Sequence, residues 1–204
     1  MCKPPFQPNT SPMKMLAFFM LVSLVSSAFI IKSPIIIDKE EAQKAFTILQ
    51  DIRANPNNYF QELGFDKDLT TSSIELTWND RLQKVAENKA YDMANRDYFA
   101  HVDPEGYGIN HFIAKAGYTL NAKWTVAKSD NYFESLSANA TSGEDAIKQL
   151  VRDSDNPSLG HRKHLLGLED WNSTLNDIGI GFVRRDSGST YTTYVCVIIA
   201  KHDW

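Results

Sequence analysis

NDRLQKVAENKAYDMANRDYFAHVDPEG, residues 79–106, decides how the rest of the chain is read. Leu82, Val85, Ala86, Lys89, Ala90, Met93 and Ala94 recur at spacings of three and four, so one side of a long helix is apolar except at Lys89. Asn79 or Asp80 suits the N-cap, and Gln83, three after Asp80, completes a capping-box pattern. The helix is expected to end near Arg96. Asp103-Pro104-Glu105-Gly106 then fits a type I turn, with proline second and glycine fourth.

Upstream, Ala42, Ala45, Phe46, Leu49 and Ile52 mark an earlier helix that stops near Asn55, because Pro56 disfavours helical dihedrals in its predecessor. NPNNYFQELG adds a short helical turn before Gly64, and residues 65–75 read as loop. Downstream, residues 109–116 form a short helix closed by Gly117. Lys123–Glu134 reads as strand from the period-two placement of Trp124 and Val126. Glu144–Arg152 is helical, with Ser142 as its cap. Ile178–Arg185 and Tyr191–Lys201 flank Asp186-Ser187-Gly188-Ser189 and make a hairpin. Helices come first and paired strands last, without βαβ alternation. That order predicts an α+β fold with an antiparallel sheet.

The 204 residues, 43% hydrophobic and 23% charged, are the composition of a folded globular protein and show no internal repeat. A formal charge of −4 leaves no broad basic surface, which excludes nucleic acid as an expected partner. Met15–Ile31 is an uncharged apolar run between Lys14 and Lys32, followed at its end by the small residues Ser26, Ser27 and Ala28. This is the layout of a secretory signal peptide spanning residues 1–28, with Met13 as an alternative start to Met1. The other reading keeps residues 15–31 as a membrane anchor; both place the remainder outside the cytosol. Residues 29–40 read as linker and 41–204 as the domain. Cleavage removes Cys2 and leaves Cys196, in TYVCVIIA, as a small buried core residue without a disulfide partner. Asn139-Ala140-Thr141 and Asn172-Ser173-Thr174 are N-glycosylation acceptor patterns.

The histidines are His101, His111, His161, His164 and His202. His101 lies between the long helix and the Pro-Gly turn, and His161 opens GHRKHLLG. Glu134, between Phe133 and Leu136, either needs a polar partner in the core or faces solvent from an edge strand. There is no G-x-S-x-G elbow and no HExxH helix.

MANRDYFAHVDPEGYG (93–108), the glutamate of NYFESL (131–136) and GHRKHLLG (160–167) come in this order after FTILQDIRANPNNY (46–59) and LTWNDRLQKVAENKAYDMA (76–94). Together they resemble the CAP superfamily of cysteine-rich secretory, antigen 5 and pathogenesis-related proteins, whose domain is also called SCP. The likeness is to its cysteine-poor branch, found in bacteria and protists, and covers residues 41–200. It implies a three-layer α-β-α sandwich with a small antiparallel sheet and a cleft carrying two histidines and two glutamates. His101, Glu134 and His161 match three of these. The second glutamate has no clear counterpart, and Asp153, one methylene shorter, stands nearest. Phe133 and Ser135 replace the usual Gly and Asn beside the glutamate, and His164 stands where Asn is frequent; one helical turn after His161, its side chain either adds a ligand or, as expected here, faces solvent.

Two imidazoles, a carboxylate and a water could hold a divalent zinc, and without metal the same groups form a His–carboxylate network. The resemblance implies no common reaction. The expected function is therefore a secreted binding module for a protein, lipid or small molecule, and the chain is not expected to be an enzyme. The alternative is a metal-dependent, peptidase-like hydrolase with Glu134 as general base.

Overall fold

A computed structural model describes residues 33–202. The signal-peptide, anchor and start-site expectations (1–28, 15–31, Met13) lie outside the described residues. Within them, β1 (Ile36–Ile37) and α1 (Lys39–Ala54) open the fold, followed by α2 (Phe60–Leu63), β2 (Thr77–Trp78), α3 (Asp80–Arg96) and α4 (Ile109–Lys115). Then come β3 (Glu134–Ala138), α5 (Gly143–Arg152), α6 (Gly160–Leu166), α7 (Glu169–Asn172), β4 (Asp177–Arg184) and β5 (Thr193–Ala200).

The linker expectation needs correction at its end. Ile36 and Ile37 pair with Arg184 and Val183, and Asp38 caps α1 by accepting the Glu41 N–H. Residues 36–40 therefore belong to the domain: the isoleucines add a ladder to β4, and the aspartate satisfies an orphan donor at the helix start. Asn79, rather than Asp80, caps α3, accepting from the backbone of Arg81 and Leu82. Gln83 forms no capping box; its amide reaches Glu87 and accepts from the Trp78 indole.

The sheet runs β1-β4-β5-β3, with β2 also against β4. All pairings are antiparallel except the two-residue β2–β4 ladder, which is parallel. One face is covered by α3 and the other by α1, α5 and α6, giving the α-β-α sandwich. The α3 layer lies close because of glycine. A Cβ on Gly179 would stand 2.1 Å from the Gln83 nitrogen, and one on Gly181 2.4 Å from the Ala86 carbonyl carbon. Only hydrogen fits between this helix and β4. Every residue of β5 is buried, Cys196 included. Among the described residues no helix is long and apolar enough to cross a membrane.

The strand expected over Lys123–Glu134 does not form. Residues Ala122–Trp124 make one 3-10 turn, and β3 begins only at Glu134. Side chains there hold the backbone in turns: Asn121 accepts from Lys123, Asp130 from Ala127, and Asn110 bonds the carbonyl of Trp124 and the amide of Tyr132. The local bonds of Asn121 and Asp130, joined by the long-range ones of Asn110, compete with a ladder and win.

Candidate functional site

Glu134 and Ser135 are neighbours on β3, so their side chains leave opposite faces of the sheet. Glu134 is opposite Ile198, which is opposite Gly179; this places it on the α3 face. Ser135 points into the layer of α5 and α6. The start of β3 is thus where the two helical layers meet around an edge strand.

On the α3 side, the helix ends at Asp97 in the left-handed conformation, and the chain runs through Tyr98–Ala100 to His101. The Lys89 ammonium, buried under the stripe, donates to the carbonyls of Ala100 (2.8 Å) and His101 (3.1 Å) and so fixes that segment. His101 Nδ1 lies 2.8 Å from Glu134 Oε2. Cys196 donates weakly to the other Glu134 oxygen, and burial raises its thiol pKa well above the ordinary value.

On the other side, α5 ends at Asp153, also left-handed, and α6 begins at Gly160. The Asp153 carboxylate accepts the backbone N–H groups of His161 (2.9 Å) and Arg162 (3.3 Å) and lies 2.8 Å from His161 Nδ1. It caps α6 and orients the imidazole at once. Arg162 turns back to the carbonyls of Val151, Arg152 and Leu63, locking the α5–α6 connection.

The two pairs face each other, with ring centroids 6.5 Å apart. Both rings and Glu134 border a cavity of about 360 Å³ together with Asn131, Tyr132, Asn156, Trp171 and Asn172. The carboxylates are buried (side chains 0% and 4% exposed), whereas the rings are open, His101 at 44% and His161 at 27%. An ionised carboxylate only accepts, so each Nδ1 carries a proton, and in the neutral ring Nε2 keeps its lone pair. Neither Nε2 bonds another described residue.

These nitrogens have the tautomer and carboxylate support of metal-ligating histidines. The number of ligands is wrong for a resident zinc, which takes three or four from the protein. Both carboxylates are turned to Nδ1 protons, and among the described residues no group of three His, Cys, Asp or Glu converges as a metal site. The Glu134 carboxylate, considered as a general base, is buried and engaged by His101 and Cys196 at the edge of the cleft.

His164 corrects the solvent-facing expectation. One turn beyond His161, it points into the core, where Nδ1 accepts from Ser135 Oγ (2.8 Å) and Nε2 donates to the Ile199 carbonyl (3.3 Å). Burial pushes its pKa down to about 4. Of the glycosylation candidates, Asn139 is exposed and accepts from the Thr192 amide, while Asn172 borders the cleft. Trp171 was not singled out in the sequence. It stands in a short helix whose pattern is too brief to show periodicity, held by Trp124 and Phe133 at ring separations of 5.3 and 5.9 Å.

Comparison with known structures finds an extracellular protein containing a SCP domain from Bacillus anthracis str. Ames at 20% identity and TM-score 0.49, covering 80% of this chain and 41% of that one. The chain thus spans less than half the length of that protein. An outer surface protein from Borrelia burgdorferi is similar at 16% identity and TM-score 0.50, covering 83% of this chain and 98% of that one. At these identities the likeness concerns the fold. No curated protein matches the chain. The profile of the cysteine-rich secretory protein family, CAP, matches residues 72–198. That span runs from the loop before β2 into β5, holds His101, Glu134, Asp153 and His161, and covers more than half of the sequence: the chain belongs to the CAP family.

Proposed function

We propose that this chain is an extracellular CAP domain whose cleft binds a small polar ligand carrying hydrogen-bond donors. One observation carries the reading: two histidines from different helical layers, each braced by its own buried carboxylate, present unengaged Nε2 atoms to a single opening. Bracing removes rotamer freedom before binding, so little ordering cost is left for the ligand encounter. The amides of Asn131 and Asn156 add polar contacts, and Tyr132 and Trp171 supply flat apolar surfaces for a ring. A cavity of about 360 Å³ lies at the small end for ligand pockets and suits a molecule of monosaccharide or amino-acid size. Its polar lining favours such a ligand over a lipid chain.

The extracellular location rests on the signal-like leader and on the descriptions of the two similar structures. The binding reading is tested by titrating monosaccharides, amino acids and dipeptides against protein with nitrogen-15-labelled imidazoles. A hit should move the Nε2 signals of His101 and His161 together, and the double alanine variant should lose the response. Responses confined to other residues would refute the assignment. Zinc belongs in the same screen: saturation of both rings at one equivalent would make the cleft a metal centre instead.

A further inference from the structure

No lysine or arginine among the described residues lines the opening between His101 and His161. The charges nearest to it are the Glu134 and Asp153 carboxylates, each engaged by an imidazole N–H. A ligand carboxylate or phosphate would meet two lone pairs and two anions there, with no cation to offset them. Free amino acids and acidic sugars therefore find no seat for their anionic ends.

The apolar side of the cleft is a corner of two aromatic rings. Tyr132 is 47% exposed and Trp171 37%, and their planes meet at 71° with centroids 6.4 Å apart. Trp171 is fixed although partly open: Trp124 packs edge-on against it, and the fully buried Phe133 lies against it at 31°. Such a corner offers a ligand one flat face and one edge, already in place before the encounter. An ammonium ligand would favour the same rings, but the chain itself fills that role. The Lys201 ammonium stands 4.7 Å from the Trp171 ring centroid and 5.5 Å from that of Trp124, donating to Thr174 Oγ1 at 2.9 Å. Its charge draws on the Trp171 quadrupole and repels a second cation at that ring.

What fits these walls is a neutral molecule with an apolar flat face and hydroxyl donors on its rim. A pyranose ring has both: its C–H face stacks on an aromatic plane, and its hydroxyls donate to acceptors. We infer that the cleft takes a neutral pyranose, one face on the Trp171–Tyr132 corner and its hydroxyls donating to Nε2 of His101 and His161. This assignment rests on the cleft being a ligand site, and narrows the ligand from a small polar molecule to an uncharged sugar. The sugar is either free or the end unit of a glycan chain, for which the exposure of both imidazoles leaves an exit.

The test is NMR of the full chain with the neutral, amino and uronic acid methyl glycosides of glucose, galactose and mannose, and with the free hexoses. In at least one series the neutral sugar should move the Nε2 signals of His101 and His161 together and receive saturation from the Trp171 indole. Its uronic acid form should bind about tenfold more weakly, and its amino form more weakly too. Trp171→Ala should weaken the neutral sugar roughly tenfold, and Lys201→Met should restore the amino sugar. Equal affinity for a hexose and its methyl glycoside identifies a chain end as the ligand; loss on methylation identifies the free sugar. A charged form that binds best, or binding that Trp171→Ala leaves unchanged, overturns the sugar assignment. So does an amino acid, dipeptide or alkylamine that moves both rings while every sugar leaves them still; the cleft would then stand as a site for another ligand. Rings that no probe moves would overturn the cleft reading as well. Should Trp171→Ala fail to fold, Tyr132→Ala takes its place, with weakened binding expected and unchanged binding overturning the proposal.

Discussion

Acidification should weaken this fold through His164. Burial disfavours the imidazolium, and the Ile199 carbonyl holds the Nε2 proton while Nδ1 serves as acceptor for Ser135. The unfolded chain has no such preference, so between the two pKa values it binds the proton that the folded chain refuses. Stability from this residue is therefore complete above an unfolded pKa of about 6.5 and is lost as pH falls through about 4. The displacement from 6.5 to about 4 corresponds to roughly 3 kcal/mol at about 1.4 kcal/mol per unit, with that per-unit value as the steepest slope. Urea unfolding of wild type and His164→Asn, in half-unit steps from pH 7 to 4, isolates the effect, since the other groups titrate in both. Asparagine keeps an acceptor for Ser135 but is smaller and leaves the Ile199 carbonyl without its donor, so the variant should be about 1–3 kcal/mol less stable at pH 7. The two curves should then converge toward pH 4. Curves that stay parallel across the range would refute the claim that this buried ring remains neutral.

Asp153→Ala removes the cap of α6 and the brace of His161 together; about 1–2 kcal/mol of stability should be lost, and the His161 ring signals should broaden or shift in NMR. Gly181→Ala drives a methyl group against the Ala86 backbone, which cannot move without lifting α3, so a loss of about 3 kcal/mol or more is expected in chemical denaturation. Cys196 should resist iodoacetamide at pH 8 in the native protein and react at once in guanidinium, as read by mass spectrometry; rapid native labelling would show that β5 opens.

Sequence and structure agree where period and burial coincide. The stripe from Leu82 to Ala94 could be read as α3 because its apolar positions face β4, and the β4–β5 hairpin was visible through its turn residues and the strand-forming run around Cys196. Ser142 was legible as a cap for the same local reason. The segment after Trp124 was not, because its shape comes from Asn110, 14 and 22 residues away from the two groups it holds there. Lys89 was visible as the one cation in an apolar stripe, but its role needs the fold, which brings the Ala100 and His101 carbonyls to its ammonium. His164 looked like any histidine one turn along a helix. Its burial depends on Ser135, which pairing with Val197 turns toward α6.

The alternation on β3 has a consequence for what insertions this family member could tolerate. Glu134 serves the histidine of one helical layer and Ser135 that of the other. A slip of β3 by a single residue would either hand His101 the Ser135 hydroxyl, with Leu136 against His164, or bring Phe133 to His101 and bury the Glu134 carboxylate against His164. The first slip frees one cleft ring to rotate, and the second charges a core position built for a neutral one. Length changes before this strand must therefore be absorbed in the turns of 125–133, where slack in the chain leaves the strand's parity untouched.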